Sequence, residues 1–327
     1  MSKRNLRHAG DREIHHGHRG LWISLLVVVL LLGAGLFGAG AYFFKVAEVR
    51  SHKAFINNKP MAKSDPLYQK DRWFREQPKA TWTIKGQPGN LKLVANYLPA
   101  AQQTDKTVVI AHGFGGNKEK MSAYGTMFHE LGFNVLIPDD RAAGASQGKY
   151  IGYGWLDRKD YLKWIRQVVA KNGQQSKILM FGVSMGGATT MMVSGEPDVP
   201  KQVKAYIEDC GYTSVEDEIS YQAKSMYNLP AWPLVPVVST ISQVRAGYNY
   251  HEASAVKAVA RNHRPIMMIH GSKDTFVPTK MVHENYRHAN GPKKLWIVKG
   301  AKHAASFRHD PKAYQEHIEA FLKENFK

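Results

Sequence analysis

The strongest constraint on the fold lies where a strand-length apolar run leads into a Gly-x-Ser-x-Gly sequence. Ile178–Val183 is the apolar run, and the residues after Ser184 predict the start of a helix. A strand, a sharp turn and a helix give this pattern chemical meaning, because the turn exposes the serine hydroxyl at its tip. Gly182 and Gly186 fit this geometry, since larger side chains there would clash with the neighbouring strand and helix. The sequence therefore predicts a hydroxyl at the positive end of a helix.

Strand and helix patterns alternate along most of the chain. Predicted strands cover Thr81–Ile84, Leu91–Leu98, Thr107–Ala111, Asn134–Pro138, Lys177–Val183, Val203–Ile207, Ile266–Ile269 and Leu295–Val298. Predicted helices cover Lys118–Leu131, Trp155–Ala170 and Pro311–Phe326. The first two strands flank a turn at 86–90 and predict a hairpin. We therefore expect an α/β fold with a doubly wound, mostly parallel sheet.

The alternation stops at residues 213–262, which are rich in aromatic residues and proline. Such a segment is too long for a simple connection between two strands. We expect a helical cap over the carboxyl ends of the strands, where open α/β sheets bind ligands. Its apolar residues suit an acyl chain or an aromatic ester, although core packing explains them nearly as well. The cap belongs to a main domain at 81–327, which a stalk or linker at 45–80 precedes.

The N-terminal region predicts a membrane anchor. A basic tail at 1–20 precedes residues 21–44, which carry no charge. At about 1.5 Å per residue this segment spans roughly 36 Å, enough for a hydrocarbon core of about 30 Å. A cleaved signal peptide is the alternative, because Ala39-Gly40-Ala41 resembles a cleavage site. We favour an uncleaved single-pass anchor in the cell membrane, with the main domain on the extracytoplasmic side.

Net charge and cysteine content limit the classes of binding partner that the chain can have. The formal net charge is +18, which favours polyanions, yet no nucleic-acid-binding module is recognisable. We therefore expect a solvated basic surface near an anionic membrane and no nucleic-acid partner, and the oligomeric state is left open. The single cysteine, Cys210, excludes an intrachain disulfide and a cysteine metal cluster, and we expect it to be buried and inert.

A serine needs a base and a group that orients the base before it becomes a nucleophile. His303 follows the last predicted strand, and Asp274 follows the strand before it. Because parallel strands end at one edge of a sheet, we expect both to lie near Ser184. Asp209 follows another strand and is the alternative acid. Ser, then Asp, then His is a known chain order for such a triad.

Oxyanion stabilisation is predicted from two backbone N–H groups. His112-Gly113-Phe114-Gly115-Gly116 follows the strand at 107–111, so the N–H of Phe114 can point towards the serine together with that of Met185. Preorganised donors of this kind contribute roughly 2.7–4 kcal/mol each. We expect His112 to be structural rather than catalytic.

These motifs together resemble the α/β-hydrolase-fold serine hydrolases, particularly bacterial membrane-anchored ones with an N-terminal transmembrane span. The resemblance covers residues 70–327. It rests on His112-Gly113-Phe114-Gly115, Asp140-Arg141 with Gly144 and Ser146, Gly182–Gly186, His270-Gly271 with Asp274, and Gly300 with His303. One departure is the pair Ala142-Ala143, where relatives often carry Gly-His, so any role of that histidine is absent here.

The predicted activity is hydrolysis of carboxylic esters through an acyl-enzyme, with catalytic Ser184, Asp274 and His303. No cofactor or metal is expected: His283-Glu284 lacks the second histidine of a zinc helix because position 287 is arginine. The substrate is a small ester or a short peptide. A serine peptidase is the first alternative, and a non-catalytic surface-binding protein that keeps the fold is the second.

Overall fold

The computed structural model describes residues 11–51 and 60–327, with side chains from residue 19 onward, so the first half of the predicted basic tail lies outside the described residues. An eight-stranded sheet organises the described chain. Its strands are β1 (Ala80–Lys85), β2 (Lys92–Leu98), β3 (Lys106–Ala111), β4 (Asn134–Pro138), β5 (Lys177–Val183), β6 (Val203–Asp209), β7 (Ile266–Gly271) and β8 (Lys293–Val298). Each of the eight predicted strands is confirmed, with shifts of a few residues at the ends.

The sheet is mostly parallel, as predicted. Its order is β1-β2-β4-β3-β5-β6-β7-β8, and only the β1–β2 and β2–β4 pairs are antiparallel. The predicted hairpin is β1–β2, where Ala80 faces Tyr97 and Lys85 faces Lys92. The central strands are buried along nearly their whole length, which explains why they are continuous apolar runs rather than alternating ones.

Helices cover both faces of the sheet. They are α1 (Asp11–Glu48), α2 (Tyr68–Glu76), α3 (Ser122–Glu130), α4 (Asp157–Asn172), α5 (Met185–Ser194), α6 (Val215–Tyr227), α7 (Leu234–Arg245), α8 (Ala255–Val259), α9 (Lys280–His288), α10 (Ser306–His309) and α11 (Pro311–Asn325). One apolar core lies between the sheet and α4, α5, α8 and α9. The other lies between the sheet and α3 and α11. The doubly wound α/β prediction is thus confirmed.

The segment at 213–262 contains α6, α7 and α8. Ser214 caps α6 by accepting a hydrogen bond from the N–H of Asp217, and Asn228 ends α6 in the left-handed conformation. The side chain of Ser254 caps α8 in the same way by accepting from Lys257. Three short helices therefore form where the strand pattern is interrupted, and we call the segment the cap.

Helix α1 is long and apolar enough to cross a membrane. Its stretch Arg19–Glu48 has a mean hydropathy of 2.5 over its most apolar window, and the side chains from Leu21 to Leu32 are exposed. The helix does not end at residue 44, where the uncharged segment stops, but continues to Glu48. Phe44 and Glu48 are buried against the rest of the protein.

Candidate active site

Ser184 lies at a sharp bend between β5 and α5. Its backbone has φ 59° and ψ −118°, a conformation that a serine adopts only when the surroundings enforce it. A Cβ at Gly182 would lie 2.0 Å from the carbonyl oxygen of Gly186, and a Cβ at Gly186 would lie 2.1 Å from that of Ala111. The two glycines are therefore required because backbone from the bend and from β3 occupies the space of any side chain.

The structure brings Ser184, His303 and Asp274 together. Ser184 Oγ lies 2.9 Å from Nε2 of His303. Nδ1 of His303 lies 2.7 Å from Oδ2 of Asp274, so the imidazole is held between the hydroxyl and the carboxylate. The ring of Phe276 packs on that of His303 with centroids 4.9 Å apart. This arrangement can remove a proton from the serine hydroxyl and stabilise the resulting imidazolium.

The surroundings of Asp274 keep its carboxyl group ionised. Burial alone would raise the pKa of its carboxyl, but hydrogen bonds from His270 and His303 outweigh burial and lower that pKa to about 2. Its Oδ1 accepts hydrogen bonds from the N–H groups of Phe276 and Val277, both at 2.9 Å. The carboxylate is thus fixed on four sides, which orients the imidazole of His303.

The alternative acid, Asp209, makes different contacts. Its Oδ1 accepts from the hydroxyl of Ser306 at 3.1 Å, and its Oδ2 accepts from that of Tyr314 at 3.0 Å. Burial raises the pKa of Asp209 to about 6. Its backbone carbonyl accepts from the N–H of Ser184 at 2.8 Å, so Asp209 supports the bend while Asp274 contacts the imidazole.

The two residues expected to supply oxyanion donors both line the pocket beside Ser184. Met185 is the first residue of α5, so its N–H has no partner within the helix and lies at the positive end of the helix dipole. Phe114 follows Gly113, where an added Cβ would lie 3.5 Å from Cβ of Ser184. The loop after β3 therefore passes directly beside the hydroxyl.

His112 holds this loop in place rather than facing the pocket. Its Nδ1 lies 2.8 Å from the carbonyl oxygen of Gly113, and its Nε2 accepts a hydrogen bond from the N–H of Asp140 at 3.0 Å. The imidazole thereby joins the loops that follow β3 and β4. The hydroxyl of Tyr161 donates to Oδ1 of Asp140 at 2.6 Å and extends the network into α4.

An apolar pocket opens at Ser184, and the cap provides nine of the residues that line it. The pocket is also lined by the loop after β3, by the loop after β7 and by the end of α1. Its principal lining residues are Phe43, Val46, Ala47, Phe114, Tyr153, Tyr212, Ile219, Met226, Tyr227, Leu234, Val238 and Phe276. The cavity suits a hydrocarbon chain or an aromatic group next to the serine.

Glu218 also lines this pocket, although the sequence analysis did not single it out. Gln222 donates a hydrogen bond to Oε1 at 2.8 Å, whereas Oε2 is buried with no hydrogen-bond partner. Burial raises the pKa of Glu218 to about 8, so the group is neutral at pH 7.

Cys210, Asp274 and His303 lie close enough together to hold a metal ion. Burial raises the pKa of the Cys210 thiol well above its usual value, so the thiol is a poor ligand as it stands. The Nδ1 atom of His303 and Oδ2 of Asp274 are already engaged with each other. The geometry thus suits proton transfer better than metal binding.

The sequence matches a family profile and several curated proteins. The profile of the family described as serine aminopeptidase S33 matches residues 102–243. The uncharacterized protein YqkD of Bacillus subtilis is 30% identical over 229 residues, which cover 70% of this chain and 75% of that protein. The uncharacterized protein YfhR of Escherichia coli K12 is 26% identical over 266 residues, covering 79% and 84%.

Solved structures show the same fold. The esterase Pf2001 of Pyrococcus furiosus matches with a TM-score of 0.65 at 22% identity, covering 86% of this chain and all of that one. A puromycin-hydrolyzing peptidase of Mycobacterium tuberculosis matches with a TM-score of 0.58 at 17% identity, covering 76% of this chain and 39% of that one. At these identities the likeness concerns the fold alone.

Proposed function

This chain belongs to the α/β-hydrolase family, and from that premise we propose that it is a serine hydrolase that cleaves carboxylic esters. The observation that carries the proposal is the continuous contact from Ser184 through His303 to Asp274, at 2.9 and 2.7 Å. A serine in a strained bend, beside a base that an ionised acid orients, is the arrangement that acyl transfer requires.

The proposed reaction begins when Oγ of Ser184 attacks the ester carbonyl while Nε2 of His303 takes its proton. The N–H groups of Phe114 and Met185 stabilise the oxyanion of the tetrahedral intermediate. His303 returns the proton to the departing alcohol, which leaves an acyl group on the serine. Water, activated by the same imidazole, then releases the acid and restores the hydroxyl.

An ester substrate is favoured by the apolar pocket beside Ser184, which offers space for an acyl chain. A serine peptidase for short peptides is the second candidate, and the description of the matching family as serine aminopeptidase favours it. Turnover of p-nitrophenyl esters and of aminoacyl-nitroanilides by the same preparation distinguishes the two activities. Faster nitroanilide turnover would make the peptidase the better assignment.

The proposed location is the cell membrane, with α1 as a single-pass anchor and the hydrolase domain on the extracytoplasmic side. The apolar length of Arg19–Glu48 supports the anchor. Protease treatment of intact cells tests the orientation: we expect the domain to be degraded while the cytoplasm stays protected. Cleavage of the domain only after lysis would place the domain on the cytoplasmic side of the membrane.

A fluorophosphonate probe tests the nucleophile directly. We expect the full-length protein to be labelled and Ser184→Ala to remain unlabelled, because the probe reacts only with an activated serine. Ser51→Ala, which removes an exposed hydroxyl elsewhere in the chain, serves as the matched control and should label normally. Equal labelling of the wild type and Ser184→Ala would remove the proposal.

A further inference from the structure

We propose that the substrate is a membrane-resident acyl ester whose hydrocarbon chain passes from the bilayer into the pocket along the end of α1. The inference rests on the proposed hydrolase function and adds the source and class of the substrate. It starts from the observation that Phe43, Val46 and Ala47 of the apolar helix line the same pocket as Ser184. The predicted anchor therefore forms part of the substrate site.

The end of α1 is fixed to the hydrolase domain by its backbone. The N–H of Ile151 donates to the carbonyl oxygen of Glu48 at 2.8 Å, and the N–H of Arg50 donates to that of Lys149 at 2.8 Å. The hydroxyl of Tyr153 donates to the carbonyl oxygen of Ala47 at 3.2 Å. These hydrogen bonds hold the end of α1 at a defined position, so Phe43, Val46 and Ala47 form a fixed part of the pocket wall.

Packing between α1 and the cap helix α7 extends the contact towards the membrane. Gly40 is buried, and an added Cβ there would lie 2.6 Å from Cγ1 of Val237 and 3.3 Å from Cδ1 of Ile241. The residues of α1 that lose exposure recur at helical spacing from position 36 to position 48. One side of the helix therefore contacts the cap while the other side remains available to lipid.

The opening of the pocket lies on this same side of the molecule. The rings of Phe43 and Tyr227 meet edge to face with centroids 4.9 Å apart. Met226 and Tyr227, at the end of α6, are respectively 40% and 39% exposed and line the pocket as well. The entrance thus lies between the end of α6 and α1, next to the segment that the membrane would cover.

Exposed apolar side chains also lie near this opening. Among the residues that the structure describes, the exposed large hydrophobic side chains outside α1 are all in the cap: Met226, Tyr227, Trp232 and Val244. Trp232 is 77% exposed just before α7, and Val244 is 81% exposed near its end. Exposed apolar residues concentrated beside a membrane helix are typical of a surface that enters the interface.

The chemistry follows from this placement. A chain that leaves the bilayer beside α1 can remain in apolar surroundings until its ester reaches Ser184. Soluble esters approach Ser184 from water, so an apolar path along α1 does not favour their binding. We therefore expect long-chain esters held in a bilayer to be the favoured substrates, with the polar part of the ester directed away from the cap.

A crosslinking experiment tests this inference without requiring turnover. The full-length Ser184→Ala protein is placed in phosphatidylcholine vesicles that contain a monoacylglycerol with a diazirine in its acyl chain. After illumination, we expect labelled peptides from 43–47 and from the cap. Labels confined to the lipid-facing stretch 21–37 would overturn the inference, whether or not the wild type hydrolyses any ester.

Chain-length dependence is the second measurement. Ala47→Phe narrows the pocket wall, so we expect kcat/KM for a p-nitrophenyl dodecanoate to fall at least about tenfold more than kcat/KM for the acetate. Ala41→Phe, on an exposed side of the same helix, should change neither. If Ala47→Phe lowers kcat/KM equally for esters of every chain length, Phe43→Ala serves as the second test. We then expect Phe43→Ala to change the chain-length preference, and an unchanged preference would overturn the inference. Absence of all ester turnover in the wild type would instead remove the proposed function.

Discussion

Asp274 combines burial with ionisation, and this combination gives His303 its orientation. Four hydrogen-bond donors surround the carboxylate: two backbone N–H groups and the rings of His270 and His303. An amide at this position could accept from the backbone, but it would not stabilise an imidazolium. It would also permit the other tautomer of His303, which leaves Ser184 without a base.

We therefore expect Asp274→Asn to lower kcat for a soluble p-nitrophenyl ester by roughly 10³–10⁴-fold. Asp209→Asn is the matched control, because Asp209 is also a buried acid after a strand but contacts Ser306 and Tyr314. We expect Asp209→Asn to keep kcat within about tenfold of the wild-type value. Its thermal stability is measured beside that of the wild type, so that a loss of folded protein is not mistaken for a loss of catalysis. The opposite ranking would assign the acid to Asp209.

Glu218 predicts a pH effect on substrate binding. Burial raises the pKa of its carboxyl to about 8, the hydrogen bond from Gln222 and the nearby His270 lower that pKa, and Asp274 and Asp217 raise it. The group is therefore mostly neutral at pH 7, and a charge enters the apolar pocket as the pH rises through about 8. We expect KM for long-chain esters to rise at least about threefold between pH 7 and 9.5, because burying an unpaired charge is unfavourable.

Glu218→Gln should remove this rise in KM, since an amide does not ionise. Glu208→Gln offers a matched comparison, because Glu208 is buried and its pKa is also raised to about 8, but it accepts from the N–H of Gly211 outside the pocket. A KM profile that Glu218→Gln leaves unchanged would exclude the pocket carboxyl as the titrating group.

Two elements determine the shape of the site: the bend into α5 and the contact between α1 and α7. In the second contact, the small residue Gly40 lets the helices approach, because any side chain there would meet Val237. Gly38 lies on the same helix with nothing within 4 Å of an added Cβ. The chain thus supplies a pair of glycines that differ in packing but lie on the same apolar helix.

We expect Gly40→Val to lower the melting temperature of the detergent-solubilised protein by several degrees and Gly38→Val to leave it within about 1 °C. A change of about 1 kcal/mol corresponds to roughly 2–4 °C for a domain of 150–250 residues. Thermal unfolding followed by tryptophan fluorescence provides the measurement. Equal melting temperatures would mean that α1 does not contribute to the stability of the hydrolase domain.

Several elements of the site were predictable because local patterns specify them. The apolar run before Ser184 and the glycines around it predict a strand and a bend, and both form as expected. The sequence favoured Asp274 as the acid but did not exclude Asp209, because both acids lie at the carboxyl ends of parallel strands at one edge of the sheet. The partners that distinguish them, His303 for Asp274 and Ser306 and Tyr314 for Asp209, are distant in sequence and are brought close only by folding.

The role of α1 could not be derived from the sequence for a related reason. Hydropathy marks residues 21–44 as apolar, but it does not say which residues of the helix contact the domain. The contact with Val237 joins positions almost two hundred residues apart in the chain. The residues of α1 that lose exposure recur at helical spacing from position 36, but the uniformly apolar sequence does not reveal this spacing.

At the scale of the whole molecule, buried carboxyls predict how stability depends on pH. Burial raises the pKa of Glu208 and Glu218 to about 8, that of Asp140 to about 7, and those of Asp160 and Asp209 to about 6. Because these values exceed those of an unfolded chain, the folded protein holds more protons between about pH 4 and 8. Its free energy of unfolding therefore falls as the pH rises through this window.

We expect the melting temperature to be lower at pH 8.5 than at pH 5.5, by roughly 4 °C or more if about 2 kcal/mol is lost. The double variant Glu208→Gln with Glu218→Gln should flatten this dependence between pH 7 and 8.5. A wild-type protein that gains stability across the same range would contradict the prediction. Asp274 acts in the opposite sense, since its lowered pKa makes its contribution disappear only as the pH falls towards 2.

The backbone hydrogen bonds that join Glu48 and Arg50 to the loop at 149–151 fix the end of α1 to the hydrolase body. With α1 in a bilayer, as proposed, this junction would restrict the tumbling that a loosely tethered domain would have. The catalytic hydroxyl would then keep a narrow range of heights and angles relative to the lipid plane. Encounter with the proposed membrane-resident ester would become a two-dimensional search, whose rate depends on the lateral diffusion of lipids.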